Sequence, residues 1–425
     1  YCPDSFGHPA ALPELACGFG LPLILLWRGY GGKRWPAGDA ARWTAPSGES
    51  VLLFHLPRDG YEFGSHLPTD PEAAEARWQR MRRELVPRST TGVMLVQNGA
   101  DHHAPQLRLD EALAALERAG SSDGVHRSSL RTFTERFVER STAQRPPVVR
   151  GELRDSYGYT WTLQGTFATR AHQKRLNAQV ERLLLRDAEP WSALTGYTGT
   201  SRKALVDSAW RTLLAAHPHD TLCGCSIDDV ALAMEGRLRS ARHEAIGVRN
   251  DSIADLIGHD AGLAREARDR WTPVVLVRNR APRARSGVAI VDLEQFVADV
   301  PVGPGSGAAV SIPSQRPERP LVPGLGRLQD LSHEMRQSRT ESPRHYPDND
   351  LIVARQVAAW VVDAPPFGIV SHAVDRGEAR RRRPKQRVVV ERRSIRNGNL
   401  RVDVRDDGGV SLEHFTSGRR IESLF

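Results

Sequence analysis

The hydrophobic pattern of this chain changes period twice along its length, and a single layer cannot accommodate both changes. Up to about residue 118, short apolar runs alternate with more polar helical stretches, the texture of an α/β domain. From about 119 to 260 the apolar residues recur at helical spacing. Leu176, Val180, Leu183, Leu184 and Ala188 mark one such face and predict a small helical bundle. After Trp271 the texture becomes β, with Val274 to Val277, Gly287 to Val291, Leu351 to Val357 and Val388 to Val390 separated by Pro, Gly and Ser. At 425 residues the chain exceeds one ordinary core. The reading is a multidomain α/β + α + β protein with an α/β domain at 1–118, a helical domain at 119–265 and a β domain at 270–425. The Arg-, Pro- and Ser-rich stretch from about 302 to 350 reads as a long loop, Arg380 to Arg383 as a solvated turn, and Leu400 to Phe425 alternates like strands.

What ends each run in the first domain carries the functional signal. Leu21 to Leu26 leads into Trp27-Arg28-Gly29, Val51 to Phe54 into His55, and Gly92 to Val96 into Gln97-Asn98-Gly99-Ala100-Asp101-His102-His103. Polar groups just past the C-terminal ends of successive strands are where barrel and open α/β enzymes place their chemistry. Asp4, in Tyr1-Cys2-Pro3-Asp4-Ser5-Phe6-Gly7-His8, has the same setting.

A second concentration lies between two helical patterns, in His217-Pro218-His219-Asp220-Thr221-Leu222-Cys223-Gly224-Cys225-Ser226. Ser201 is placed to cap the upstream helix, whose apolar positions run from Leu205 to Leu214 until Pro218 stops it. Ser226 with Asp229 forms a Ser-x-x-Asp signal opening the downstream helix, with Val230, Met234 and Leu238 on one face. Two His, an Asp and two Cys are thereby confined to an inter-helix loop.

Composition removes several function classes. The net charge is +8 and the pI near 9.7, but Arg supplies almost all of the positive charge and Lys is nearly absent, which argues against a selected nucleic-acid patch. Four Cys are too few for a disulfide scaffold at this size, and a reducing, cytoplasmic compartment is expected. No apolar run approaches the roughly 20 residues needed to span a bilayer. The chain opens on Tyr1 rather than Met, directly in motif-like sequence, and ends without a terminal signal, so a truncation at the N-terminus and another at the C-terminus are expected.

Asp4, Asp101 and Asp220 are each set among Gly, Pro, His or aromatic residues. Paired carboxylates suit glycosidic bond cleavage, one attacking or orienting water and the other protonating the leaving oxygen. The competing reading of each is a turn or cap residue. His219 beside Asp220 suits a zinc ligand next to a sugar-hydroxyl acceptor, whereas Cys223 and Cys225 lack the usual two-residue zinc spacing and read as packing residues of the turn.

Taken in order, Tyr1 to Pro9, Trp27-Arg28-Gly29, Asn98 to His102 and His217 to Ser226 resemble the α-mannosidases of glycoside hydrolase family 38, in their bacterial branch. The resemblance implies a seven-stranded β/α barrel, here partial, then a three-helix bundle and a C-terminal β-sandwich, and a zinc-dependent retaining exo-glycosidase acting on terminal α-mannosides. It assigns Asp4 as nucleophile and zinc ligand, His219 as zinc ligand, Asp220 to the sugar hydroxyls and Asp101 as general acid. Arg28 matches a cation set against the nucleophile, and Phe6 and Tyr61 line the sugar pocket. It further implies that Asp4 and Asp101 face one cleft. The family's remaining zinc ligands come from a His-x-Asp motif with no counterpart here, from which weak zinc binding and an inactive isolated chain are expected. The alternatives are a mannosylglycerate-type hydrolase of the same family, and a non-catalytic carbohydrate- or nucleic-acid-binding protein. An α-mannoside is the expected partner, with neither nucleic acid nor membrane, and a homo-oligomer is left open.

Overall fold

In the computed structural model, residues 1–425 are described except 157–161, 197–200, 267–272, 303–321, 326–327, 342–346, 375–386 and 423–425. The turn read at Arg380 to Arg383 lies outside the described residues, as does much of the loop read at 302–350. The chain divides into two units, Tyr1–Ile257 and Gly258–Phe425. The first holds both the α/β and the helical stretches.

Apolar runs bounded by turn residues supply the sheet of the first unit. Strands β1 (Leu23–Leu26), β2 (Ala40–Thr44), β3 (Ser50–His55) and β4 (Val148–Arg150) are ordered β1-β3-β2-β4. β1 runs parallel to β3 and β2 parallel to β4, but β2 and β3 are antiparallel. β1 is buried along its whole length and β3 along nearly all of it, as expected of strands covered on both faces. One face, with Leu26, Trp43 and Leu53, packs under helix α1 (Leu12–Gly18), and the other, with Leu25, Phe54 and Leu56, meets Phe133 and Phe137 of α4 (Leu130–Gln144). Helix α2 (Pro71–Leu85), capped by Asp70, buries Trp78, Met81 and Leu85 against Ala112 and Leu116 of α3 (Leu109–Ala119).

The run Gly92 to Val96, expected as a strand, forms no ladder. Its side chains nevertheless alternate as a strand's would: Val93 and Leu95 face one core, Met94 and Val96 the other. The period of two survives because both faces are apolar, without a hydrogen-bonded neighbour among the described residues.

Beyond β4 come α5 (Ala171–Leu183), a π-helical turn at Leu184–Ala188, α6 (Glu189–Gly196), α7 (Lys203–Leu214), α8 (His219–Cys223) and α9 (Asp228–Ile257). Their core gathers Val180, Leu184, Ala188, Val206, Leu213, Met234 and Leu238. Three sequence readings shift here. Arg202, not Ser201, occupies the cap position of α7, and α9 begins at Asp228 with Ala231, rather than Val230, in the core. The expected inter-helix loop contains the one-turn helix α8. No described helix is long and apolar enough to cross a membrane.

The second unit is β-rich. Strands β5 (Val274–Arg278) and β9 (Ile369–Ala373) pair antiparallel, and β6 (Arg285–Asp299), β7 (Gln329–Thr340) and β8 (Asp348–Ala364) form an antiparallel sheet ordered β6-β8-β7. A five-stranded meander follows from β10 (Val389–Glu391) through β11 (Ser394–Arg396), β12 (Leu400–Val404) and β13 (Val410–His414) to β14 (Arg419–Ile421). β7 overturns part of the loop read at 302–350. Its sequence, QDLSHEMRQSRT, is polar on both faces and mostly exposed, so no alternation marked it as a strand.

Candidate active site

Two glycines and one carbonyl set the geometry. Gly7 and Gly29 have φ of +121° and +86°, which L side chains rarely adopt. Both face the carbonyl of Leu153, and a Cβ on Gly29 would stand 2.3 Å from that oxygen. The close approach lets residue 8 bridge to Leu153 and residue 29 to Asp155, while Cys2 bridges in parallel to Leu26 at the edge of β1. The Asp4 segment is thereby stitched beside the end of β1, which carries Arg28.

Arg28 Nε donates to Asp4 Oδ1, forming an ion pair in which both side chains are largely covered. The guanidinium lies over Trp27, 4.7 Å from the ring centroid, and 5.6 Å from that of Phe6. Asp4 Oδ2 meets His219 Nε2 at 3.2 Å, and the same nitrogen stands 3.5 Å from Asp220 Oδ1. Phe6, only 5% exposed, sets its ring edgewise to His219. The two segments singled out in the sequence, 215 residues apart, therefore converge on one carboxylate.

Arg170 and Lys174, at the start of α5, hold the His219 turn from below. Arg170 donates to the carbonyls of Gly224 (3.0 Å) and Ser226 (2.7 Å) and to Asp228 Oδ1, and Lys174 donates to the carbonyl of Cys223 at 2.9 Å. α8 closes on Gly224 at φ +82°. Neither cation was marked by sequence pattern, because each belongs to a helix in an ordinary charged run. The thiol of Cys225 donates to Asp220 Oδ1 at 3.1 Å, and burial followed by that carboxylate pushes it up to about 11. It is therefore held as a thiol here.

Asp101 is exposed and accepts a hydrogen bond from the Tyr61 hydroxyl at 2.9 Å. Burial first, then the Asp101 contact and the nearby charge of Asp4, hold that hydroxyl well above its ordinary range, and Arg28 opposes them. One phenol thus senses both carboxylates and the cation. Tyr61 also packs edgewise on Trp27.

The sequence reading missed how Trp27 is fixed. His55, buried at the end of β3, has Nε2 3.0 Å from the Trp27 carbonyl, and Arg88 Nη2 approaches its Nδ1 at 3.2 Å. A guanidinium only donates, so Nδ1 accepts and Nε2–H donates to Trp27. Burial and then Arg88 hold this imidazole down to about 3, in its neutral form. Its place after the run Val51 to Phe54 was the only clue in the sequence.

Asp4 and His219 are a carboxylate and an imidazole, both suitable zinc donors, and they converge. They supply two of the three or more protein ligands such a centre uses, and among the described residues no group of three or more His, Cys, Asp or Glu gathers to hold a metal. Beside them a cleft of about 980 Å³ opens past Trp27, Arg28 and Tyr61 toward α2.

The family model of the α-mannosidase middle domain matches residues 161–256. A putative mannosylglycerate hydrolase of Halalkalibacterium halodurans is 27% identical over 252 residues, covering 56% of this chain and 27% of that protein. An α-mannosidase structure from Enterococcus faecalis V583 superposes with a TM-score of 0.75 at 21% identity, over 100% of this chain and 48% of that one. A glycosyl hydrolase family 38 protein from Enterococcus faecalis gives a TM-score of 0.64 at 19% identity, over 99% of this chain and 46% of that one. The chain thus spans about half the length of these structures, and the likeness to them extends the mixed α/β, multidomain fold. Residues 161–256 thus match the α-mannosidase middle domain, and the chain resembles glycoside hydrolase family 38 α-mannosidase-like proteins in sequence and fold.

Proposed function

We propose that the site hydrolyses terminal α-mannosides with retention, Asp4 acting as nucleophile and Asp101 as general acid and base. The observation that carries this reading is the clamp on Asp4, with Arg28 on one carboxylate oxygen and His219 on the other, while Tyr61 links the same surroundings to Asp101. In the first step Asp4 attacks the anomeric carbon, the bond to the leaving oxygen breaks, and that oxygen takes the proton of Asp101. In the second, Asp101 takes a proton from water, the water oxygen bonds to the anomeric carbon, and Asp4 leaves as carboxylate. Arg28 restrains the attacking oxygens and balances their charge, and Tyr61 holds Asp101 through the proton transfers. Phe6 and Tyr61 supply the apolar wall of the sugar pocket, and Asp220, more than half exposed, accepts sugar hydroxyls.

Asp4 and His219 are the residues of this chain proposed to hold zinc. When bound there, the ion supplies Lewis acidity toward sugar hydroxyls. Metal content after dialysis tests this, with Asp4→Asn and His219→Ala each expected to lower it.

Mannose release from an aryl α-mannoside, with the anomer of the first product read by NMR, tests the reaction in a protein that also carries the family's His-x-Asp motif, since the isolated chain is expected to be inactive. The α anomer is expected. Asp101→Ala is expected to lower turnover roughly 10²–10⁴-fold on a poor leaving group and far less on an activated aryl one. A β product, or equal losses on both leaving groups, overturns the assignment.

A further inference from the structure

The segment that carries Asp101 is tied at both of its ends to a second loop. Asn98 Nδ2 donates to the carbonyl of Gly64 at 2.9 Å. Gln106 uses both ends of its amide on Leu67, Oε1 accepting from the backbone N–H at 3.0 Å and Nε2 donating to the carbonyl at 2.7 Å. The two segments press so closely that a Cβ on Gly64 would stand 2.3 Å from the Gln97 carbonyl oxygen. Arg77 of α2 also holds this second loop, donating to the carbonyls of Phe63 and Ser65. Side chains that face each other across such a frame lose little further freedom when they bind a ligand together.

His66 and His103 are such a pair. Their ring centroids lie 4.6 Å apart, with the planes inclined at 65°. Both residues are exposed, and neither imidazole has a hydrogen bond or ion pair among the described residues. His66 has φ of +51°, and His102, next to His103, has +59°, backbone that is uncommon for a residue with a side chain.

The spacing suits a shared metal ion. A neutral imidazole offers one nitrogen lone pair. With the nitrogen about 2.1 Å from the metal and the ring centre about 1.1 Å further, imidazoles on adjacent positions of a square-planar or octahedral ion have centroids about 4.5 Å apart, against about 5.2 Å on a tetrahedral ion. The observed 4.6 Å matches the right-angled case, which Cu2+ and Ni2+ prefer and Zn2+ does not. Turning each exposed ring about its own χ bonds is enough to bring one nitrogen from each to a common point. Among the described residues no third His, Cys, Asp or Glu joins them, so water completes the shell at the rim of the cleft that His66 lines. We propose that His66 and His103 form a two-imidazole site for a late first-row divalent ion, Cu2+ or Ni2+ in preference to Zn2+, separate from the Asp4 and His219 pair. An ion there adds a further tie between the two loops and fixes the segment that carries Asp101, two residues before His103.

Ni2+ is the probe, because Cu2+ also oxidises free thiols, of which the chain has several. Calorimetric titration of NiCl2 uses protein without a histidine tag and carrying His219→Ala, which removes the zinc donor proposed above. One bound ion is expected. His66→Asn and His103→Asn each leave a single imidazole and are expected to weaken binding about tenfold or more, whereas His102→Asn leaves it in place. Asn tolerates the left-handed backbone at residue 66, and thermal unfolding without metal reports the fold of each variant. A second measurement needs no variant: anomalous scattering from Ni2+-soaked crystals is expected to place the ion between the two rings. Affinity unchanged in both His66→Asn and His103→Asn, an ion seated on other residues in the crystal, or Zn2+ bound at this site more tightly than Ni2+ overturns the inference.

Discussion

Asp4 carries more of the site than any other residue, and its two oxygens are treated differently. Oδ1 is taken by Arg28, a permanent cation lying over the Trp27 ring, and Oδ2 by His219. An Arg side chain in this position restrains direction as well as charge, since the guanidinium is itself clamped between two rings. Arg28→Met keeps the stem and removes the charge. A charge-assisted hydrogen bond is worth about 1.5–3 kcal/mol, so turnover is expected to fall roughly tenfold to a hundredfold. The melting temperature is expected to move by only a few degrees. Kinetics and thermal unfolding of the same preparation check this, and an unchanged rate in a folded variant would leave Arg28 without a part in catalysis. Asp4, Arg28 and His219 were all legible in the sequence because they sit among Gly, Pro and aromatic residues. His55 was less so: a lone His after an apolar run looks like a core residue, and only the donor constraint from Arg88 shows that it orients the Trp27 carbonyl.

At the scale of elements, three loops meet at Leu153, and the meeting depends on a residue without a side chain. Gly29 has φ of +86°, and its absent Cβ would collide with the Leu153 carbonyl. Gly29→Ala must therefore strain the backbone and push the Trp27–Gly29 turn from Leu153. A cost of about 1–3 kcal/mol in stability is expected, with a loss of activity larger than that of Gly20→Ala, whose surroundings are open. Urea unfolding and the mannoside assay, run side by side, separate the two effects. Periodicity reveals nothing of this, since a Gly after Trp-Arg reads as any turn. The same limit explains α8. His219 to Cys223 has too few residues to show a helical period, and the turn is fixed by Arg170 and Lys174 from a distant helix. Elements whose order comes from long-range partners are the ones the sequence leaves blank, as β7 also illustrates.

Over the first unit as a whole, the changes in texture read from the sequence correspond to real cores: a sheet covered on two faces, and helices gathered around α9. Two histidines that couple this unit to pH are buried beside the sheet, and their depressed titration has no mark in the sequence. His8 is 97% buried by the complement of its 3% exposure, its Nε2 has no partner among the described residues, and burial holds it down to about 4. His55 is held down to about 3 by burial and then Arg88. Both are neutral when folded and titrate near 6.5 when unfolded. Between about pH 6.5 and these depressed values the unfolded chain binds more protons, so stability rises with pH and is lost as pH falls. Each histidine contributes a slope of up to about 1.4 kcal/mol per pH unit inside that window, and none above it. His55→Gln retains a donor for the Trp27 carbonyl and an acceptor for Arg88 while removing the titration. Urea midpoints followed by Trp fluorescence from pH 4 to 8 are expected to show a flatter acid limb for His55→Gln than for the parent, with the two curves parallel above pH 7. Identical acid limbs would mean that His55 is already solvated in the native state and does not hold Trp27 in place.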